Sequence, residues 1–114
     1  MMRPQDEEPV YVISIAARLV EMHPQTLRLY ERLGLVQPAR TKRNIRLYSS
    51  RDVERLQQIQ RLTQDLGVNL AGVQVILDLL NKMERMRHEM TEQLQRLQDE
   101  VERAHREAER RSRA

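Results

Sequence analysis

The sequence predicts a mainly α-helical fold, a winged helix-turn-helix domain followed by a long helix. Three observations lead to this prediction. Two short amphipathic segments lie on either side of a break at Met22-His23, as in a helix-turn-helix. An extended segment with a basic tip follows them and ends near Tyr48. Beyond Asn81 there is neither glycine nor proline, so nothing interrupts a long last helix.

Length and composition narrow the class of protein. With 114 residues the chain has room for one small domain and an extension, and the absence of cysteine excludes disulfide scaffolds and zinc ribbons. No apolar run approaches the roughly 18 residues that a membrane span needs. Residues 1–9 are polar and acidic, without the apolar core of a secretion signal. We therefore expect a cytoplasmic protein without a cofactor, with residues 1–9 as a disordered tail.

The first elements are a strand and two short helices. Tyr11–Ile13 is a β-branched run typical of a strand, and Ser14 is suited to cap a helix of two turns. After the break, Pro24 fits the first position of a second helix, and Gly34 is the expected stop. Helical spacing gives this second helix an inner and an outer face. The inner face carries Leu27, Tyr30 and Leu33, and the outer face carries Gln25, Arg28, Leu29 and Arg32.

A basic wing is predicted between the second and third helices. Leu35-Val36 and Ile45–Leu47 are the expected arms, and Pro38 restricts the first arm. Residues 10–48 contain seven basic and two acidic residues, whereas the net charge of the whole chain is only +3. Such a concentration favours binding to phosphates, although exposed arginines are also common in a chain with 32% charged residues. The wing itself carries Arg40, Lys42, Arg43 and Arg46.

Two further helices precede the long one. Ser49 starts a capping-box sequence with Asp52, Gly67 is the expected stop of the third helix, and Asn69 can cap the fourth. Their apolar faces are Val53, Leu56, Ile59, Leu62 and Leu66, then Val73, Ile76, Leu77 and Leu80.

The last helix carries a narrow apolar stripe with heptad spacing, which Arg87 interrupts. A stripe this narrow favours a coiled coil with another chain, and the alternative is a single exposed helix. We expect fraying from Ala104 onward. The predicted dimerisation residues are Met83, Met90, Leu94, Leu97 and Val101.

The order and spacing of these motifs over residues 10–81 resemble the MerR family of bacterial transcription regulators. The resemblance rests on TLR-x-YE in the second helix, GL-x-x-P-x-R before the wing and R-LYS-x-x-D-V after it. It implies a DNA-binding domain over residues 10–81 and, over residues 82–114, a dimerisation helix that forms an antiparallel coiled coil with a frayed tail.

Two segments resemble the heat-shock repressor (HspR) branch more closely: HPQTLR at His23–Arg28 and GVNLAGV at Gly67–Val73. The branch implies a homodimer that represses chaperone operons at an inverted repeat in double-stranded DNA, with a DnaK-type chaperone as co-repressor. No small-molecule ligand and no membrane contact are expected. Leu29 and Asn44-Ile45 depart from the tyrosine and the Gly-Tyr that many relatives carry, which leaves wing geometry and base preference open.

The candidate DNA contacts fall into two groups. Gln25, Thr26 and Arg28 are the expected base-reading residues, because side chains early in a recognition helix meet base edges. Alternatively, Gln25 and Thr26 are solvated or Thr26 turns inward, and Arg28 is a surface arginine paired with Glu21 or Glu31. The wing cations are expected to contact the backbone, with Arg43 as the candidate for a minor groove and Arg46 alternatively bridging wing to helix. The remaining candidates are Arg18, His23 and Tyr30, of which His23 could instead be a helix cap and Tyr30 a core residue.

Other functions have weaker support in the sequence. A ligand-responsive activator of the same family would need a metal loop or drug-binding domain, and we expect neither in a chain without cysteine. A coiled-coil interaction module would leave the basic cluster at residues 40–46 unexplained. An enzyme is not expected, because no nucleophile–base pair, glycine-rich phosphate loop or metal-ligand spacing is found.

Overall fold

The computed structural model describes residues 4–113, and the chain divides into two compact units, Met1–Val75 and Ile76–Ala114. The strands are β1 (Pro9–Val12), β2 (Ala39–Arg40) and β3 (Arg46–Ser49). The helices are α1 (Ile13–Leu19), α2 (Pro24–Arg32), α3 (Ser50–Gln60, continued by a π-helical turn over Arg61–Asp65) and α4 (Leu70–Arg113). The predicted mainly α-helical fold, with helix-turn-helix, wing and long last helix, is confirmed.

The N-terminal segment differs from the expected disordered tail. Pro4–Glu7 form a 3-10 helix, and the Glu7 carboxylate accepts a hydrogen bond of 2.8 Å from the Arg51 guanidinium. Pro9 already belongs to β1. Residues 1–3 of the predicted tail lie outside the described residues.

The three strands form one antiparallel sheet in the order β1-β3-β2. Tyr11 lies opposite Tyr48, and Ala39 lies opposite Leu47, so β3 is the central strand. The prediction of Leu35-Val36 as a wing arm is wrong, because these residues form a buried connection and β2 begins only at Ala39. Pro38 lacks the N–H that a paired strand needs, which explains the later start. The wing is therefore fixed along one side by the N-terminal strand.

Each helix of the helix-turn-helix ends at a residue with a left-handed backbone conformation. Val12, and not Ser14, occupies the N-cap of α1, since Ile13 is already helical. At the end of α1 the Met22 N–H donates to the Ala17 carbonyl (3.0 Å), while Glu21 has φ +55°. At the end of α2 the predicted stop is confirmed, because Gly34 has φ +76°. Both ends have the hydrogen bonds of a Schellman motif.

The third helix begins as predicted and ends with a change of period. Ser49 and Asp52 form a reciprocal capping box, with hydrogen bonds of 3.0 and 2.9 Å. The π-helical turn then adds a residue to one turn, and Leu66 is 70% exposed instead of continuing the apolar face. Gly67, at φ +67°, ends the segment as expected. The fully buried side chains of the first unit include Leu27, Leu35, Tyr48, Leu56, Ile59 and Val73.

The predicted fourth helix and the predicted last helix are one continuous helix, α4. It starts at the cap predicted for the fourth helix, where Asn69 Oδ1 accepts a 2.8 Å hydrogen bond from the Gly72 N–H. It is helical to Arg113, in place of the fraying expected from Ala104. Ala114 lies outside the described residues. The compact units divide after Val75, whereas the sequence suggested residue 81, and this domain boundary stays a prediction. Among the described residues no helix is long and apolar enough to cross a membrane.

Candidate nucleic-acid interface

The first turn of α2 carries polar side chains, and its N-terminus is capped. Pro24 takes the first helical position, and His23 Nδ1 accepts a 3.0 Å hydrogen bond from the Gln25 N–H. The alternative of His23 as a helix cap is therefore confirmed. Because Nδ1 accepts this bond, the ring N–H is on Nε2, and the cap does not use it. The Gln25 side chain is exposed and Thr26 is half-buried.

Arg28 lies half-buried on α2, between the buried Leu27 and the half-buried Leu29. Its alternative role as the ion-pair partner of Glu21 or Glu31 finds no support, because no salt bridge of Arg28 occurs within residues 4–113. An arginine without a hydrogen-bonded internal partner keeps its five N–H donors for an external acceptor. Arg28 is therefore available to an incoming base or phosphate.

Tyr30 lies below this surface. Only 7% of the residue is exposed, and its hydroxyl lies close to the Thr63 side chain in the π-helical turn. Burial raises the Tyr30 pKa, and the neighbouring Thr63 hydroxyl opposes that rise. This arrangement favours the core-packing alternative over the predicted phosphate contact.

Glu31 of α2 connects the recognition helix to the base of the wing. Arg46 Nε donates to Glu31 Oε1 at 2.6 Å, and Arg40 donates to both carboxylate oxygens at 3.1 and 3.2 Å. Arg40 and Arg46 stand directly opposite each other in β2 and β3, where like charges repel. The single carboxylate between them offsets this repulsion. The alternative structural role for Arg46, bridging wing to helix, thus applies to Arg40 as well.

The charge state of Glu31 follows from these contacts. Burial alone would raise the pKa of this carboxyl, but the hydrogen bond and charge of Arg46, together with those of Arg40, outweigh it. The net result is a pKa below the ordinary value of 4.5. Glu31 is therefore ionised at neutral pH and holds both arginines.

The tip of the wing is a tight turn that leaves two cations outside. The Asn44 N–H donates to the Thr41 carbonyl at 2.8 Å, and the Ile45 N–H donates to Thr41 Oγ1 at 3.1 Å. Asn44 has φ +65°, a conformation that favours glycine and that asparagine tolerates. The replacement of the family's frequent glycine thus keeps the turn. Lys42 and Arg43 are exposed between these residues, with no hydrogen bond to any described residue.

The remaining candidates are separate from this arrangement. Arg18 is exposed near the end of α1 and forms no salt bridge within the described range. His88 and His105 of α4 lie 3.0 and 3.2 Å from glutamates one helical turn further on, at Glu92 and Glu109. Residues 4–113 contain no group of three or more His, Cys, Asp or Glu side chains that could hold a metal ion.

The residues that support the interface from below were not predicted from the sequence. Glu31 was considered only as a partner of Arg28. It is one of two acidic residues beside seven basic ones in residues 10–48, which is a visible signal for an internal ion pair. Arg55 of α3, whose Nε donates to the Leu35 carbonyl, anchors the connection before the wing. Thr63, which meets Tyr30, gave no signal, because a threonine within a helical pattern predicts nothing about its partner.

Comparison with known proteins identifies relatives of this arrangement. The model of the MerR HTH family regulatory protein matches residues 11–80. A Streptomyces coelicolor protein named as a heat shock protein, HspR, is 56% identical over 78 residues, which are 68% of this chain and 52% of that protein. The HTH-type regulator GlnR of Bacillus anthracis is 41% identical over 69 residues, covering 60% and 53% respectively. The chain thus spans about half the length of these relatives.

Two solved structures share the fold. A MerR family regulator from Bacillus cereus aligns with a TM-score of 0.55 and 27% identity, over 80% of this chain and 74% of that one. HiNmlR, a MerR family regulator that lacks the sensor domain and is bound to promoter DNA, aligns with a TM-score of 0.56 over 81% and 78%, and at 20% identity it shows the fold alone.

Proposed function

Because the chain belongs to the MerR family of helix-turn-helix transcription regulators, we propose that it is a sequence-specific repressor of heat-shock or chaperone genes. It binds an inverted-repeat operator as a homodimer. The heat-shock assignment is supported by the 56% identity to the Streptomyces HspR protein, which exceeds the 41% identity to GlnR.

One observation carries the DNA-binding part of the proposal. On the candidate surface the acid Glu31 is fully engaged by Arg40 and Arg46, whereas Arg28, Lys42 and Arg43 have no internal acceptor in the described part of the chain. The outward-directed charge is therefore positive both on the recognition helix and at the wing tip. This separation matches the division of DNA contacts into base reading by a helix and backbone positioning by cations.

The roles of the individual residues follow from this division. Arg28 contacts a base edge in the major groove, with Gln25 beside it in the first turn. Lys42 and Arg43 contact phosphates next to the groove, and Arg43 reaches the minor groove. In the homodimer, two recognition helices enter successive major grooves about 34 Å apart.

The test is operator binding by Arg28→Ala, after footprinting over the protein's own operon has located the operator. Loss of a base contact costs about 1–3 kcal/mol and relaxes sequence preference at one position of each half-site. Arg103→Ala is the matched control, because it removes an equal charge from the exposed surface of α4. Equal operator affinity of the Arg28→Ala and Arg103→Ala proteins would contradict the proposal.

The DnaK-type co-repressor is a separate part of the proposal and rests on the likeness to the heat-shock branch. Footprinting with and without a purified DnaK-type chaperone tests it. The expected result is stronger protection of the operator when the chaperone is present. Protection that does not change with chaperone would remove the co-repressor and leave the repressor in place.

A further inference from the structure

Beyond residue 78, α4 exposes a row of large apolar side chains that no described residue covers. Each is between 54% and 67% exposed. If each contributes on the order of 100 Å² of apolar area, the total area of the seven side chains approaches the roughly 800 Å² that each partner buries in a standard interface. We name this row the apolar stripe: Leu79, Met83, Met86, Met90, Leu94, Leu97 and Val101.

The spacing of the apolar stripe is symmetric about Met90. Its members follow one another at intervals of 4, 3, 4, 4, 3 and 4 residues, so the regular alternation of fours and threes is broken once, at Met90. This break is a stutter, an insertion of four residues that locally unwinds a coiled coil. With Met86 in the stripe, Arg87 no longer interrupts it. Apolar residues then stand 4, 7 and 11 positions away from Met90 on both sides.

A stripe that reads identically in both directions complements a second copy running the opposite way. The inference rests on the proposed homodimer and on the antiparallel coil expected for it, and it specifies the register: we infer that the two-fold axis lies at Met90. In a two-fold interface residue i meets j and j meets i. The resulting layers join Met90 to its own copy, Met86 to Leu94, Met83 to Leu97, and Leu79 to Val101.

A neighbouring register fits less well. With the axis moved to between Gln93 and Leu94, Met83 would face Ala104 and Leu79 would face Ala108. Each of these layers pairs a large side chain with a methyl group and leaves a void, which close packing disfavours. The register centred on Met90 fills every layer with leucine, methionine or valine.

The charges beside the stripe favour the same orientation. Lys82 precedes Met83 and Glu100 precedes Val101, so both flank the stripe on the same edge. With the axis at Met90, Lys82 of one chain lies within two residues of the level of its partner's Glu100. In a parallel pair, Lys82 would instead flank a basic residue, Arg87. Flanking charges of this kind set partner orientation in coiled coils.

Single-cysteine variants test the axis directly, because the natural chain contains no cysteine. A disulfide needs Cα atoms about 4.4–6.8 Å apart. At a rise of about 1.5 Å per residue, Leu94 and its copy are separated by about 12 Å along the axis and Met83 and its copy by about 21 Å. Oxidised Met90→Cys protein is therefore expected to form a covalent dimer, whereas Met83→Cys and Leu94→Cys proteins are not.

A second variant tests the register without changing Met90. The chain carrying both Met83→Cys and Leu97→Cys is expected to cross-link, while neither single variant does. Cross-linking of all single variants would indicate a parallel pair, and cross-linking of Leu94→Cys in place of Met90→Cys would indicate the shifted register. Either outcome overturns the inference.

Sedimentation under reducing conditions separates this inference from the proposed function. A natural chain that sediments as a monomer when bound to operator DNA would refute the homodimer itself. A dimer with the wrong cross-links would refute only the axis. As a further check, Lys82→Glu should weaken dimerisation by roughly two- to fivefold for each ion pair, and adding Glu100→Lys should restore it.

Discussion

Replacing Glu31 by glutamine removes the charge that joins the wing to the recognition helix and keeps the size of the side chain. The change leaves Arg46 Nε and the Arg40 guanidinium without the carboxylate that they contact at 2.6 and 3.1 Å. A charge-assisted hydrogen bond contributes about 1.5–3 kcal/mol and an exposed ion pair about 0.2–1 kcal/mol. The Glu31 side chain is 20% exposed and that of Arg40 36% exposed, so a loss of unfolding free energy of about 1–2 kcal/mol is expected.

The same substitution has two opposite effects on DNA binding. Loss of a negative charge strengthens the attraction to the phosphates of DNA of any sequence. Loss of the ion pairs lets the wing move relative to α2, and ordering it again on the operator costs binding energy. If this ordering costs about 1 kcal/mol, operator affinity falls roughly fivefold. Affinity for unrelated DNA is then unchanged or higher, so the loss is one of selectivity.

Fluorescence anisotropy with the operator and with a scrambled duplex, at several salt concentrations, measures both affinities. Urea unfolding measures stability. Glu54→Gln is the matched control, since Glu54 is an exposed acid of α3 that forms no salt bridge within residues 4–113. If the Glu31→Gln protein were as stable and as selective as the Glu54→Gln protein, the wing would not be held by charge and the reasoning would fail.

Three further substitutions or conditions give independent checks. Tyr48→Phe should raise the free energy of unfolding by about 1 kcal/mol, because it removes a buried hydroxyl that has no hydrogen-bond partner in the described chain. A loss of stability in urea unfolding would show that the hydroxyl is satisfied. Glu21→Gly should stabilise by roughly 0.5–1 kcal/mol by relieving the left-handed conformation at φ +55°. Glu21→Ala, which keeps the strain, should show no such gain in melting temperature. Finally, the stability difference between the natural protein and Glu31→Gln should depend on pH. Because the folded-state pKa of Glu31 is lowered, the difference is fully present above the ordinary value of 4.5 and disappears as pH falls through the folded-state pKa. A difference that stays constant down to strongly acidic pH would exclude the carboxylate as its source.

The helix boundaries that the sequence predicted correctly are those fixed by a few adjacent residues. These boundaries depend on residues that act within one helical turn, so the local sequence is enough to predict them. They are Pro24, Gly34, the Ser49–Asp52 pair and Gly67. The prediction that failed at α1 shows the limit of this logic. Ser14 has the right side chain for a cap, but β1 continues through Val12 and the helix begins before Ser14 can cap it.

The parts that the sequence did not predict depend on which distant elements meet. The pairing of β1 with β3 joins residues that are more than thirty positions apart, and neither segment alone specifies the partner. The contact of Glu31 with Arg40 and Arg46 likewise requires the wing to fold back on α2. The type and spacing of the site residues were therefore predictable, whereas the division of the wing cations into two engaged and two outward-facing residues was not.

Because of the π-helical turn at the end of α3, the interface depends on how many residues this segment contains. Deleting Arg61 or Leu62 would turn this segment into regular α-helix and rotate Thr63 by about 100° relative to the preceding helix. Thr63 would then lose its position beside the hydroxyl of Tyr30, the buried residue beneath the recognition helix. Chains of this type with a one-residue deletion there would need a different anchor for α2, so alignment gaps at this turn mark a change in how the recognition helix is supported.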